Sequence, residues 1–600
     1  MRYNFLSVAF ILAAFFAADG RAGCPQPAAF IDAAPRVERR KPLTANIGVV
    51  SVGLDTYWKQ CPGLYDDMEK KEDAFVRTLE GRTTSSAAAR EDTRPPALKI
   101  HRFGISDNPE KAASLVPAMK AADLDLLFVD MVTYATSSTF APFVRELTCP
   151  IVLVALQPDS RLDYEHATIY KQLYNDDLCS VPEFTGVAIR YGRPVADVII
   201  GELSELTGTT GILPVATNGQ DVRCPGGVAN LTGTTGILPV ASAADEIRQW
   251  CSVACVLHDL RRARIGLMGH VLEAMYDMQV DPTAVSRTFG CHVALCEPDE
   301  ILAFYRELGN GEQGTGNGRA GAHPASASFA VRASRSGDMR TPSADVAAMK
   351  RRILDFFDTP DPVSDPWTEK LTEHDLDVAA KAAVALEKFI EKRNLDGFAY
   401  YYEGEPGSPT RELVTNFIVG NSLLTAAGFP MCGEFDLKNC IAMMIFDRLD
   451  IGGSFAEFHP IDFERGTVLV GHDGLHHLNI AAKKPVLRSL KKYHGKPGSG
   501  AGVEFNIKEG PITMMSIGLK ADGSFKFVVA EGESLAGPIP LTGNTNTHGR
   551  FKPDVRTFLR RWSMEGPTHH FALGIGHHAA ELKKLGRALG IETVVVTEEK

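Results

Sequence analysis

Short apolar runs alternate with amphipathic segments from residue 45 onward. Four runs rich in aliphatic and β-branched residues predict buried strands, at residues 46–53, 97–103, 124–130 and 150–155. Apolar positions spaced three and four residues apart predict helices between them, at residues 63–79 and 108–121. Strands separated by helices in this rhythm are typical of a parallel, doubly wound sheet.

A second unit with the same alternation begins at residue 264. Its first strand is predicted at residues 264–269, and a helix leads from there over residues 271–281 to a strand at 291–295. A long helix at 375–393 and a strand at 395–402 continue the pattern. We therefore expect a second doubly wound domain.

The pattern changes beyond Gly452 to short strands and turns, closed by a helix at residues 579–589. The predicted fold class is α/β, with two doubly wound (Rossmann-like) parallel-sheet domains followed by a β-rich C-terminal domain. The predicted domains span residues 46–185, 186–452 and 453–600.

Two segments interrupt the alternation. Residues 206–216 recur unchanged at 231–241, and residues 309–342 are rich in Gly, Ala, Ser and Arg without periodicity. Two copies are too few for a stacked repeat fold. Both segments are interpreted as surface insertions in the central domain, near 203–246 and 308–345.

The N-terminal residues 1–23 have the pattern of a secretory signal, with an apolar run and the small residues around Arg21. A wrongly assigned start is the alternative. Eleven cysteines without a C-x-x-C pair suit a reducing compartment, which favours the cytoplasm unless the leader is genuine. Cys251, Cys255 and His258 are close in sequence, but buried thiols are favoured there over zinc.

The composition is that of a folded protein acting on small molecules. A hydrophobic share of 44% and a charged share of 23% argue against a disordered chain and against a polytopic membrane protein. The net charge of -11 and the absence of a basic cluster argue against a nucleic-acid partner.

Histidine concentrates in the C-terminal third, where ten of the seventeen lie between His459 and His578. Glu434 precedes a predicted helix, while Glu457 and His472 lie on strands or at their ends. Two carboxylates and two imidazoles can hold one divalent ion and leave positions for substrate oxygens. Taken singly, each of these residues is as well explained as a helix cap or a surface side chain.

The order of these residues resembles a known family. Gly433-Glu434-x-Asp436-x-Lys438, Phe455-x-Glu457, Gly471-His472 and His569-His570 follow one another as in the L-arabinose and L-fucose isomerases. The domain order agrees with this family as well. The resemblance runs from about residue 46 to the end, outside the two insertions.

The resemblance implies a metal centre and its chemistry. It assigns Glu434, Glu457 and His472 as ligands of a divalent metal, usually Mn²⁺, with Co²⁺ or Mg²⁺ as alternatives. The fourth ligand is His570, with His569 as the alternative. It also gives Glu434 and Glu457 the proton-transfer roles of an isomerase. Such a pair around one cation suits an enediol route between aldose and ketose.

The resemblance leaves the sugar open. The first strand–helix loop carries Leu54 to Tyr57 where arabinose isomerases have Gln and His. Tyr57, His494 and Lys496 are candidate substrate-binding residues, and the segment around the last two is equally well explained as plain turns.

The predicted function is that of a metal-dependent aldose–ketose isomerase acting on a free pentose or 6-deoxyhexose. L-Arabinose is the first candidate substrate and L-fucose the second. The family also implies a homo-oligomer, a trimer or hexamer. The alternative is a non-catalytic sugar-binding or sensing protein, because exported sugar receptors are also built from two doubly wound domains.

Overall fold

The structure is a computed structural model of the chain. It describes residues 34–84, 96–165, 168–207, 241–271, 275–308, 343–359, 370–472, 474–490, 492–493, 496–497, 500–538 and 547–598. The predicted leader at residues 1–23, His494 and most of both predicted insertions lie outside these ranges.

The N-terminal sheet is parallel, with its strands in the order β2-β1-β3-β4-β5. Its strands are β1 (Thr44–Val52), β2 (Ala97–Ser106), β3 (Leu126–Met131), β4 (Ile151–Gln157) and β5 (Asp197–Glu202). Its helices are α1 (Asp55–Gln60), α2 (Leu64–Thr84), α3 (Pro109–Ala121), α4 (Ser137–Glu146), α5 (Ile169–Tyr174), α6 (Val181–Arg190), α7 (Ser204–Thr207) and α8 (Ala243–Arg262). The strand order reverses direction at β1, which confirms the predicted doubly wound arrangement.

The predicted boundary at residue 185 is too early. Strand β5 pairs in parallel with β4, for example Leu153 with Val198, and it therefore completes the first sheet. The helix α8 packs on β1 from the other side of the predicted insertion. The weak alternation of residues 197–202, of which only Ile199 is buried, left this edge strand without a signal in the sequence.

The central sheet is also parallel, in the order β7-β6-β8-β9. Its strands are β6 (Arg264–Met268), β7 (His292–Cys296), β8 (Gly397–Tyr400) and β9 (Met431–Cys432). Its helices are α9 (Pro282–Phe289), α10 (Pro298–Glu307), α11 (Ala344–Phe356), α12 (Glu373–Arg393), α13 (Pro409–Thr415), α14 (Ile418–Ala426) and α15 (Leu437–Arg448). This confirms the second doubly wound unit.

The helix predicted over residues 271–281 is wrong for the residues that can be described there. Residues 275–281 contain only one 3-10 turn, at Tyr276–Met278. The helix begins instead at Pro282, because Asp281 caps it by accepting a hydrogen bond from the Thr283 amide at 2.8 Å.

The C-terminal domain contains a closed antiparallel barrel. The ring runs β16-β19-β10-β11-β18-β17 and closes where β17 pairs with β16, while β20 adds to β17. The strands are β10 (Gly452–Asp462), β11 (Thr467–Gly471), β12 (Val486–Ser489), β13 (Lys492–Tyr493), β14 (Lys496–Pro497), β15 (Ala501–Glu504), β16 (Gly510–Leu519), β17 (Phe525–Leu535), β18 (Thr547–Phe551), β19 (Phe571–Ile575) and β20 (Glu592–Val595). The helices are α16 (Val555–Met564) and α17 (Ala579–Leu589). The predicted β-rich domain is confirmed.

Helix α15 connects the central sheet to the barrel. All of its residues are buried, and it packs on β8 and β9 on one side and on β10, β16 and β19 on the other. A helix that is buried on every face lies in the middle of a protein, and its few charged residues, such as Asp447 and Arg448, are paired there. The β9–α15 turn is therefore held at the junction of the two domains.

The segment before β1 is tied to the same junction. The Val37 amide donates to Asn479 at 2.9 Å, and the Arg40 amide donates to the Ala427 carbonyl at 2.8 Å. Arg39 forms an ion pair with Asp447, at the end of α15. Residues 36–41 thus belong to the folded structure, although no domain was predicted to include them.

In the described part of the chain, no helix combines the length and the apolar character needed to cross a bilayer.

Candidate active site

Glu434 lies in the turn between β9 and α15. Glu434 and Phe435 both have a φ of 62°, a left-handed conformation that is uncommon outside glycine. The Phe435 amide donates to the Tyr400 carbonyl at 2.9 Å, so the turn is fixed to the end of β8. The strained turn at a domain junction is the kind of backbone that functional sites retain.

The barrel contributes the other three predicted residues through strand register. Glu457 on β10 pairs with Gly471 on β11, so His472 follows directly beside it. On the other side of β10, Ala456 pairs with Phe571 of β19, which brings His570 next to Glu457. Three segments that are distant in sequence thereby converge at one end of the barrel.

Glu434, His472 and His570 form one group whose ligand atoms all lie within 4.8 Å of one another. A Glu434 carboxylate oxygen lies 3.8 Å from His472 Nε2, and the other lies 3.5 Å from His570 Nε2. His570 Nε2, the atom that faces Glu434, is buried and has no hydrogen-bond partner among the described residues. Buried ring nitrogens of this kind are available to a cation.

Glu457, His569 and His570 form a second group of the same size, which shares His570 with the first. His569 Nε2 lies 2.6 Å from a Glu457 carboxylate oxygen, and its side chain is 48% exposed. His570 is fully buried. The structure thus brings both adjacent histidines to the site, with His570 inside it and His569 at its rim.

Phe455 supports both buried imidazoles. Its ring centroid lies 4.2 Å from that of His472 and 4.3 Å from that of His570, and its side chain is fully buried. Because Phe455 and Glu457 are two residues apart on one strand, they lie on the same face of β10. The Phe-x-Glu spacing therefore places an aromatic support directly beside a carboxylate.

Comparisons with known proteins find similarity to sugar isomerases. Residues 475–597 match the family model of the L-fucose isomerase C-terminal domain. The chain is also similar to an L-arabinose isomerase of Klebsiella pneumoniae (strain 342), at 23% identity over 37% of this chain and 45% of that protein. The predicted resemblance to the L-arabinose and L-fucose isomerases is confirmed as a similarity.

Other relatives of the chain are named for different sugars. A sulfoquinovose isomerase of Priestia aryabhattai is 25% identical over 36% of this chain and 47% of that protein. An L-arabinose isomerase of Nocardioides sp. is 28% identical over 29% of this chain and 36% of that protein. The aligned region spans less than half the length of each of these relatives.

The carboxylates of Glu434 and Glu457 are in different electrostatic environments. Burial raises the pKa of Glu434, and the nearby Glu457 charge adds to this effect while His570 opposes it. Burial also tends to raise the pKa of Glu457. The hydrogen bond with His569 and the neighbouring His472 outweigh this effect and lower the pKa to about 2. Carboxylates whose pKa values are pushed apart are suited to opposite proton-transfer roles.

The histidines differ in the same way. Burial holds the pKa of His472 well below its usual value, so its ring is neutral and can act as a ligand. The hydrogen bond to Glu457 raises the pKa of His569. His472 thus has the character of a ligand, whereas His569 has that of a cation paired with a carboxylate.

Two acidic residues make contacts at the site that the sequence did not indicate. Asp436 lies 3.1 Å from His570 Nδ1 and is fully buried. Asp277, in the 3-10 turn of the central domain, accepts a hydrogen bond from the His569 amide at 2.8 Å, and its carbonyl accepts one from Lys438. Asp436 is visible in the motif, but Asp277 stands in a segment without any motif.

No described contact tests the predicted substrate-binding residues Tyr57, His494 and Lys496. Tyr57 lies on α1 of the N-terminal domain, with its ring centroid 6.3 Å from that of Tyr134. Lys496 lies on the short strand β14, paired with Tyr493. His494 is outside the described residues. Their roles remain predictions.

The cysteine groupings are buried thiols in the described structure. Cys251 and Cys255 are buried residues of α8, while Cys291 precedes β7 and Cys296 is its last residue, both of them buried. His258 faces Asp125 at 2.7 Å instead of a thiol. This agrees with the interpretation that was favoured over zinc.

Proposed function

We propose that this protein is a metal-dependent aldose–ketose isomerase for a free sugar, with L-arabinose as the first candidate and L-fucose as the second. The convergence of Glu434, Glu457, His472 and His570 from four separate segments carries the proposal. The similarity to sugar isomerases supports the reaction class. The sulfoquinovose isomerase among the relatives adds a sulfonated sugar as a third candidate.

The donor set fits a divalent cation of the Mn²⁺ type, with Co²⁺ or Mg²⁺ as alternatives. Glu434, Glu457, His472 and His570 would hold it, since two carboxylates and two neutral imidazoles suit such an ion. When bound, the metal would act as a Lewis acid that makes the C–H beside the sugar carbonyl more acidic. The unpartnered, buried Nε2 atom of His570 is consistent with that occupant.

The two carboxylates carry out the proton transfers in this proposal. Moving the carbonyl between C1 and C2 requires one proton to pass between the carbons and another between the oxygens. Glu457, which the His569 hydrogen bond keeps ionised, accepts the carbon-bound proton and returns it to the neighbouring carbon. Glu434, which faces Glu457 across the donor set, moves the second proton between the two sugar oxygens.

The test uses the full chain, stripped of metal with a chelator and then supplied with Mn²⁺, Co²⁺ or Mg²⁺. Each sample is incubated in D₂O with L-arabinose, L-fucose or sulfoquinovose, and NMR follows ketose formation and deuterium at C2. We expect metal-dependent conversion of one sugar. Conversion without metal would contradict the proposal. Binding of a sugar without any conversion would favour the sugar-binding alternative.

The variants Glu434→Gln and Glu457→Gln test the assigned roles. Each should lower kcat by about 10²–10⁴-fold, because general acid–base catalysis contributes about that much. Glu533→Gln is the matched control, since Glu533 is an exposed residue of the same barrel that pairs with Arg550. Turnover by either site variant at the rate of the control would refute its proton-transfer role.

The proposal includes a homo-oligomer, a trimer or hexamer. Light scattering coupled to size-exclusion chromatography should give a mass of three or six chains of 65.1 kDa. A monomeric mass would contradict this part of the proposal alone.

A further inference from the structure

Asp436 links the start of α15 to His570. One of its carboxylate oxygens accepts a hydrogen bond from the Asn439 amide at 3.0 Å, which caps the helix. The other lies 3.1 Å from His570 Nδ1. Both the Asp436 and the His570 side chains are fully buried, so water does not compete for this contact.

The contact determines which nitrogen of His570 carries the proton. An ionised carboxylate can only accept, so the hydrogen in this bond belongs to Nδ1. In the neutral ring the lone pair of His570 is then on Nε2, which faces Glu434 at 3.5 Å.

We propose that Asp436 is a positioning residue that fixes the Nδ1–H tautomer of His570 and thereby presents Nε2 to the cation beside Glu434. Outer carboxylate partners of this kind orient metal-binding histidines in many proteins. The inference rests on the proposed function only for the identity of the cation. The tautomer itself is a property of the metal-free protein.

His472 shows that this arrangement is specific to one of the two buried imidazoles. The Nδ1 atom of His472 has no hydrogen-bond partner among the described residues. Its ring is held by the backbone after β11 and by packing against Phe455. The dependence on an outer carboxylate should therefore appear at His570 and not at His472.

The first measurement is made on the metal-free wild-type chain with ¹⁵N-labelled histidine. Long-range ¹H–¹⁵N spectra distinguish the two neutral tautomers, and the His570→Gln variant identifies the His570 signals. We expect Nδ1 to be protonated in the wild type and the tautomer to become mixed or reversed in Asp436→Asn. A wild-type ring protonated at Nε2, or an unchanged tautomer in Asp436→Asn, would overturn the proposal.

The second measurement is the affinity for Mn²⁺ by isothermal titration calorimetry. Asp436→Asn retains an acceptor for the Asn439 amide, so the helix cap survives, and we expect about 10–100-fold weaker binding. In the His570→Gln background the same change should have little further effect, because Asp436 acts through that ring. Equal losses in both backgrounds would overturn the proposal.

Asp554→Asn is the matched control. Asp554 caps α16 through hydrogen bonds from the Arg556 and Thr557 amides at 3.0 Å, and it has no described contact with the site. Its Mn²⁺ affinity should equal that of the wild type. If the wild type binds Mn²⁺ but converts no sugar, the proposed function fails while the affinity cycle still decides the role of Asp436. If the wild type binds no metal, the tautomer measurement alone decides whether Asp436 positions His570.

Discussion

We expect the buried carboxyl group of Asp130 in the N-terminal domain to make the free energy of unfolding depend on pH. Asp130, at the end of β3, is 4% exposed and accepts a hydrogen bond from the Ser51 hydroxyl at 2.9 Å. Burial raises its pKa to about 7, Lys71 opposes this, and the nearby Glu72 adds to it. The Lys71 ammonium instead contacts Asp177, at 2.5 Å.

The sign of the effect follows from proton binding. Between the ordinary value of 3.8 and about 7, the folded state binds a proton at Asp130 that the unfolded state has lost. Stability therefore falls as the pH rises through this window. The total loss is about 4 kcal/mol, of which about 3 kcal/mol falls between pH 5 and pH 7.

Asp130→Asn removes this loss, because the amide is neutral at every pH and still accepts from Ser51. We expect the variant to be more stable than the wild type by about 4 kcal/mol at pH 8 and by about 1–2 kcal/mol at pH 5. At about 2–4 °C per kcal/mol for a domain of this size, Tm at pH 8 should rise on the order of 10 °C.

Differential scanning fluorimetry from pH 5 to pH 8.5 measures the effect through Trp58, which lies in this domain and donates to Asp107 at 2.9 Å. Asp177→Asn is the contrasting variant. Burial raises the pKa of Asp177 to about 7 as well, so at pH 8 this variant leaves the Lys71 ammonium buried without an ionised partner and should destabilise the protein by about 3–5 kcal/mol. A Tm difference between Asp130→Asn and the wild type that does not change with pH, or a less stable Asp130→Asn at pH 8, would refute the reasoning.

Two further predictions concern the junction around α15. Asp447→Ala should lower stability by about 3–5 kcal/mol, because it leaves the buried Arg448 and the partly buried Arg39 without their shared carboxylate; a chemical denaturation curve that matches the wild type would contradict this. Phe455→Ala should cost about 3–5 kcal/mol and weaken Mn²⁺ binding, because the support under two imidazoles is lost. Calorimetric unfolding and titration check both effects, and a wild-type Mn²⁺ affinity would show that the support is not needed.

The order of the elements could be predicted because it depends on local patterns. Apolar runs and helical spacing recur along the first two domains, and the predicted helix at residues 579–589 is confirmed as α17. The edge strand β5 was not predicted, because its side chains are mostly not buried and its apolar pattern is therefore weak. The turn at Tyr276–Met278 was not predicted, because the apolar spacing before Asp281 indicated a helix there. The helix begins only after Asp281, which caps it.

The site was predictable only as a set of residue types in order. Glu434, Glu457 and His472 each precede or follow a strand, and a known family supplied the arrangement that connects them. Asp277 could not be found in this way, because its contact with the His569 amide depends on how the central domain meets the barrel. Contacts between domains leave no periodic trace in a sequence.

The choice between the adjacent histidines shows how much depends on a single strand pair. Neighbouring residues of an extended chain point to opposite sides, so a shift by one residue in the β10–β19 register would exchange His569 and His570. The observed pairing of Ala456 with Phe571 places His570 inside, where Asp436 meets it, and leaves His569 at the rim against Glu457. The sequence presents two equivalent imidazoles, and the barrel makes one of them a buried neighbour of Glu434 and the other a partner for Glu457.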